Sequence, residues 1–330
     1  EIKDGKPVGQ PVKLKDGMES ADVIAWIERG IFFGQTANTT DLYTVAMDPV
    51  GERVFGAPQQ IPYPRTGRNV SPVWSPDGGR LAFVSSSAAE PHRRYVVVMT
   101  PDGGQTREFP IPPTTYLNPQ WPYDMRWFGD GRGLGFSGPD SRGEPAVFRL
   151  VLGTGEWNVI PLSLIAGWTS IEWNRDGSAF YYARHVRATE RNPGILERSV
   201  SGDAERLVYR LSEPASIRSL EFSPDRKWLA FSQEGGSQER LIRRIMVLEV
   251  GTGETRAVLE KTTDSTDFNR TLGQASWSPS GDLLVWRHVM AGTPPETLLV
   301  PVNAGAPRSV AIPTIGALRV VPRPLFAKWS

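Results

Sequence analysis

The sequence predicts an all-β fold, a propeller of four-stranded antiparallel blades, and three observations lead there. A block made of an aromatic residue, a tight turn and a short apolar run recurs along the 330 residues. Its aromatic members are Trp26, Trp74, Trp127, Trp173, Phe222, Trp277 and Trp329, and successive members stand 46 to 55 residues apart. A period of that size, holding several short strands, marks blades repeated about an axis. Glycine (33) and proline (29) are both plentiful, as a chain of many turns requires, and helical periodicity extends over no useful length.

The repeat is plainest at residues 71–85, which read as strand, turn and strand. Trp74 ends the first strand, Pro76 presets φ, Asp77 bonds nearby backbone, and Gly78 or Gly79 supplies a positive φ. The block returns at 126–131, 172–177, 221–225 and 276–281, is degraded at 25–30, and begins once more at 328–330. One such hairpin is marginal in water, so its meaning comes from recurrence.

Taken in order, residues 1–21 read as an outer closing strand and a linker, because 6–14 resemble 54–61, a fourth strand in its own repeat. Six repeats fill 22–313. Blade one spans about 22–61, with strands near 22–26, 31–35, 41–47 and 54–61. Blade two spans 70–110, with its third strand at 95–100 and a hairpin turn at 101–104. Blades three to six cover about 122–161, 168–211, 217–260 and 272–312. The turns Gly153-Thr154-Gly155-Glu156 and Gly251-Thr252-Gly253-Glu254 fall in the same slot, between third and fourth strands, which supports the register. Residues 314–330 start a further repeat. The expectation is one propeller domain of six complete blades with extra strands at both ends; the alternative is a seventh blade that is incomplete here. A chain that opens on Glu1 is also expected to have been processed, trimmed or excised.

Composition narrows the function. Lys and Arg number 37 and Asp and Glu 36, so no overall field favours nucleic acid or an acidic membrane. There is no cysteine, which removes disulfides, thiolate metal sites and cysteine nucleophiles together. No apolar stretch approaches the roughly 18 residues of a membrane helix, and no signal peptide is visible. Three glycosylation patterns, at Asn38, Asn69 and Asn269, read as chance occurrences.

The Trp/Phe-Ser-Pro-Asp-Gly block followed by a Leu/Ala/Phe strand resembles the TolB-like, WD-like propeller repeat of bacterial proteins. Residues 74–83, 222–231 and 277–286 match best, and the pattern covers 22–330. It departs at Trp26, where Pro and Asp are absent, and at Phe128-Gly129, where Ser-Pro is lost. The resemblance implies a propeller and often a binding role in the periplasm or elsewhere outside the cytoplasm; it carries no catalytic residues.

Candidate chemistry is sparse. Arginines gather before the first strands, at Arg65, Arg68, Arg126, Arg218, Arg270, Arg319 and Arg323, where a propeller opens its central channel. Clustered guanidinium groups there suit a carboxylate, a phosphate or an acidic peptide end. Tyr116, Trp121, Tyr123 and Trp168 share those loops, and Arg with aromatics is a binding-surface signature. The candidate ligand residues are therefore Arg65, Arg68, Tyr116, Trp121, Trp168, Arg270 and Arg319. The competing reading is an ion-pair network between blades, since Asp124, Glu172, Glu213, Glu221, Asp264 and Asp267 lie in the same region.

His92, His185 and His288 occur in the second, fourth and sixth repeats at similar places. A shared metal is a weak candidate, because loops of alternate blades stand too far apart for one ion at about 2.1 Å; surface or packing roles fit better. Asp77, Asp130, Asp176 and Asp225 read as turn caps, lacking the dense oxygen spacing of a calcium loop. No Gly-x-Ser-x-Gly elbow and no phosphate loop occur. The expectation is a non-catalytic interaction domain without a cofactor, taking a protein or peptide partner at the channel mouth, with a small acidic ligand or glycan also compatible. The alternatives are an accessory gating propeller of a larger enzyme, such as a prolyl-oligopeptidase-like serine peptidase, and a metal-dependent propeller lyase acting on sugar acids.

Overall fold

The computed structural model of the chain describes residues 2–3, 6–7, 21–27, 30–35, 40–47, 54–65, 67–87, 93–112, 124–162, 170–184, 194–211, 215–237, 240–264, 272–278, 281–287, 296–303 and 305–310. These form strands, turns and bends, with no helix among them. Five antiparallel sheets of four strands follow one another, each with its strands in sequence order.

Numbered by repeat, blade two comprises Gly67–Trp74, Leu81–Ser87, Arg94–Met99 and Thr106–Pro110. Blade three comprises Arg126–Trp127, Gly133–Pro139, Pro145–Val151 and Glu156–Pro161. Blade four comprises Ile171–Trp173, Ala179–Arg184, Gly194–Ser199 and Glu205–Arg210. Blade five has the longest strands, Ala215–Phe222, Trp228–Gly236, Arg240–Glu249 and Thr255–Asp264. Blade six comprises Leu272–Trp277, Leu283–Arg287, Glu296–Val300 and Arg308–Val310.

In the first repeat, Ala21–Ile27 pairs with Gly30–Gln35, and Tyr43–Met47 pairs with Val54–Gln60, as two separate hairpins. At the start of the chain Ile2–Lys3 pairs with Lys6–Pro7, so these residues form a local hairpin; the rest of 1–20 lies outside the described residues, as do 311–330.

Local chemistry explains the hairpins. In the turn after Trp74, the Ser75 hydroxyl donates to Asp77 at 2.5 Å, Gly79 N–H donates to the same carboxylate at 3.1 Å, and Gly78 takes φ 70°. The second strand opens as Arg80 N–H donates to the Ser75 hydroxyl at 2.9 Å. The same wiring recurs at Ser223, Asp225 and Trp228, and between third and fourth strands at Thr100, Asp102 and Gly104. A short polar side chain that binds its own turn is what makes Ser and Asp turn residues.

Packing makes the sheets a propeller. Each apolar cluster joins two neighbouring blades. Val84, Val96 and Val98 of blade two meet Trp127, Phe136 and Phe148 of blade three. Phe128, Val147 and Ile160 meet Trp173, Phe180 and Tyr182. Similar layers lie between blades four and five and between five and six. Second strands are therefore buried on both faces: Leu81–Ser85 and Gly133–Gly138 are fully inside, while Thr106–Pro110 at the outer edge buries Phe109 alone. Burying each large apolar side chain contributes about 1.5–3 kcal/mol. The six described anchors all lie in first strands, and five of them end theirs. Asn69 is 4% exposed, so its glycosylation pattern is inaccessible in the folded chain.

Candidate functional site: channel wall and entry-loop face

First strands of successive blades lie side by side, from 67–74 through 126–127, 171–173 and 215–222 to 272–277. Alternation in a strand sends neighbouring side chains to opposite sides. Val73 of blade two packs in the apolar layer against blade three, whereas the residues just before the next four anchors, Arg126, Glu172, Glu221 and Ser276, are buried polar groups.

These residues form one buried network. Arg126 pairs with Asp124 at 2.8 Å and with Glu172 at 3.4 Å, and its Nε donates to the Leu220 carbonyl at 3.2 Å. The Ser170 hydroxyl donates to Asp124 and accepts from Leu220 N–H at 2.9 Å. Glu221 accepts from the Ser276 hydroxyl at 3.4 Å and from Trp277 N–H at 3.3 Å. Arg126 is 7% exposed. Burial alone pulls its pKa down, but Asp124, Glu221 and Glu172 outweigh that and hold it above the ordinary arginine value. The guanidinium stands where a cation among carboxylates would stand, and among the described residues no group of His, Asp and Glu is arranged to hold a metal.

Two first strands carry a shared irregularity. Ser71 (φ 58°) and Ser219 (φ 60°) each sit three residues before an anchor, where the pairing shifts register between Val70 and Val73 and between Arg218 and Glu221. Such bulges bend a strand and re-aim its side chains. Among the described residues of blades three and four no such bulge occurs, and the residues three and one before each anchor already share a side, where Asp124 and Arg126 meet Ser170 and Glu172.

The entry-loop face is visible at the junction of the first and second repeats. Thr40 N–H donates to the Gly67 carbonyl at 2.9 Å, and Asn69 N–H donates to the Thr40 carbonyl at 3.0 Å. A loop between second and third strands is thereby tied to the entrance of the next first strand. Arg65 pairs with Glu108 of the outer strand at 2.5 Å and lies over the Tyr95 ring at 4.8 Å. Tyr63 donates to Glu108 at 2.7 Å; its hydroxyl pKa is pushed up by burial first and then by that carboxylate. Arg65 thus crosses its own blade towards the outer strand. Arg68 lies half-buried in the first strand opposite Ser86. Tyr116, Trp121, Trp168, Arg270 and Arg319 lie outside the described residues, as do His92, His185, His288 and Trp329.

What sequence reading missed is the set of arginines that brace neighbouring blades. Arg80 donates to the Gly131 carbonyl at 2.8 Å and lies over Trp127. Arg149 donates to Gly177 at 2.8 Å and lies over Phe128. Arg226, at φ 60°, donates to the Trp173 carbonyl and lies over Phe222 at 4.3 Å. Arg198 donates to Pro161 at 2.7 Å.

Fold and wall together define a β-propeller with a charge-paired axis. Among solved structures the chain is similar to TolB from Acinetobacter baumannii (TM-score 0.54, 16% identity), covering 81% of this chain and 65% of that one. It is also similar to oligogalacturonate lyase from Vibrio parahaemolyticus (TM-score 0.50, 11% identity), covering 76% and 67%. Both likenesses are of fold alone. Among curated proteins, an uncharacterized peptidase, YuxL, of Bacillus subtilis (strain 168) is 26% identical over 175 residues, which are 50% of this chain and 22% of that protein. The match thus spans about a fifth of that relative's length. No protein-family model matches the chain.

Proposed function

We propose that this chain is a six-bladed, non-catalytic propeller domain that recognises a protein or peptide, acidic in character, with its entry-loop face. The observation that carries this reading is the bridge of Thr40 to Gly67 and Asn69, which joins loops of neighbouring repeats on one face. Loops held by rigid blades are where binding residues collect. The axial wall supports it, since charges paired at 2.8 and 3.4 Å leave recognition to the rim. In this reading the two hairpins of residues 21–60, which pair as separate two-stranded sheets, belong to a sixth blade beside the five four-stranded ones. The resemblance to the TolB-like repeat supports a place outside the cytoplasm, which fractionation of the native cells checks.

The relative in Bacillus subtilis favours a second reading, in which the propeller gates a larger peptidase whose nucleophile lies beyond these 330 residues. The full gene separates the two, since a hydrolase domain carries its own nucleophile elbow.

The first reading is tested with a peptide array graded from basic to acidic. Acidic peptides should be retained, and less so as salt rises, because screening acts on exposed charges. Changing Arg68 and Arg270 together to Ala should weaken retention and flatten its salt dependence. The control pair is Arg132 and Lys227, exposed beside the turns of the opposite face; Arg80 does not serve, because it braces blade three. Greater loss from the control pair would reverse the face assignment.

A further inference from the structure

Where the first and second repeats meet, a cleft is lined by Asp41, Leu42, Ile61, Tyr63, Asn69 and Phe83. It has about 190 Å³ of empty space, part of it open to solvent, and its enclosed part has room for one group the size of a water. The backbone around it is locked. Thr40 is bonded to Gly67 and Asn69, Ile61 N–H donates to the Leu42 carbonyl at 2.8 Å, and Tyr63 N–H donates to Ile61 at 2.8 Å.

Two side-chain acceptors line the cleft, Asn69 Oδ1 and the Asp41 carboxylate. Asn69 is 4% exposed, and its Oδ1 is buried with no hydrogen-bond partner. A buried acceptor left unpaired is costly, and in a native fold it calls for an explanation. Asp41, the residue after the bridge, is exposed at the mouth, and among the described residues no cation pairs with it. The Tyr63 hydroxyl is committed to Glu108, whose charge Arg65 matches, so Tyr63 offers the cleft its ring. That ring meets Phe83 edge-on at 5.0 Å.

We propose that this cleft binds a protonated primary amine. An ammonium carries three donors on a compact head. One donor satisfies Asn69 Oδ1, a second meets the Asp41 carboxylate, and the charge rests against the Tyr63 ring, which Phe83 backs edge-on. Two side-chain oxygens are too few for calcium, which takes six to eight, and Asp41 repels an anion. The amine can be a peptide amino terminus or a lysine side chain. This inference stands on the cleft alone and survives loss of the entry-face reading.

The test is a titration of the 330-residue chain with n-butylammonium chloride, followed by amide chemical shifts or calorimetry, with n-butanol and sodium butyrate as controls. Butylammonium should saturate the site and bind about tenfold tighter than butanol, the gain of a charge-assisted hydrogen bond, while butyrate leaves it empty. Asp41→Asn should weaken amine binding about tenfold, and Asn69→Asp should tighten it. Those opposite signs are beyond a merely structural role, and they keep the test valid if Asn69→Leu fails to fold. Triglycine against its N-acetylated form, and Nα-acetyl-lysine amide, then distinguish the two sources. Equal binding of butanol, no saturation by any probe (the mark of a cleft that keeps a bound water), or amine affinity unchanged in both folded variants would overturn the proposal.

Discussion

At the scale of single residues, the turn aspartates couple this fold to pH. The Asp77 carboxyl is held below the usual carboxylate range by the Ser75 hydroxyl first and by Gly79 N–H next. Asp225 is lowered chiefly by the Ser223 hydroxyl, and Asp176 by that of Ser178. A carboxyl depressed in the folded state contributes stability that is complete above its unfolded value, about 3.9. That contribution is lost as pH falls through the lower folded value. Melting temperature should therefore hold steady above about pH 5 and drop below about pH 4. Asp77→Asn and Asp225→Asn should each lower the neutral-pH melting temperature and make the acid drop shallower; equally steep curves would assign it to other groups. These turns were legible because every partner lies within five residues of Asp77 or Asp225. The arginine braces were not, since Arg80 and Arg226 each bind a backbone carbonyl about fifty residues away, which no local pattern announces.

At the scale of elements, each first strand is a hinge of chemistry between blade and axis. Trp277 fills the layer between blades five and six and donates through Nε1 to the Glu221 carbonyl at 2.9 Å. Trp127 does the same to Val73 at 3.1 Å. Trp173 packs on Phe128 at 4.9 Å and on Phe180 at 5.5 Å, but its Nε1 is buried without a partner. Truncating Trp173 or Trp277 to Ala should each cost on the order of 3–5 kcal/mol. The Phe variants separate the two sites: Trp277→Phe should cost about 1 kcal/mol more than Trp173→Phe, because only Trp277 gives up a hydrogen bond. Urea midpoints at constant slope check both. The recurrent aromatic block made these strands readable. Their bulges at Ser71 and Ser219 were not, because positive φ in a non-glycine strand residue has no composition signal. Strand pairing within the first repeat also differs from the four-stranded expectation, its described residues forming two hairpins.

At the scale of the whole molecule, Arg126 ties blade three to blades four and five through Glu172 and the Leu220 carbonyl. Removing it strands Asp124, Glu172 and Glu221 in a buried setting, so Arg126→Ala should destabilise by about 3–5 kcal/mol, while neutralising Glu172 and Glu221 alongside should recover part of that loss. Thermal melts of the single and triple variants check this, with the exposed Arg132→Ala as a near-neutral reference. Charged residues at one repeat position before successive anchors were visible in the sequence; their meeting across the axis was not, since it depends on how blades turn. The same contact has a mechanical reading. A propeller is often pictured as a ring of independent blades, yet here one guanidinium of blade three is bonded to blades four and five as well. Blades three, four and five cannot part there without first breaking the bonds of that one side chain.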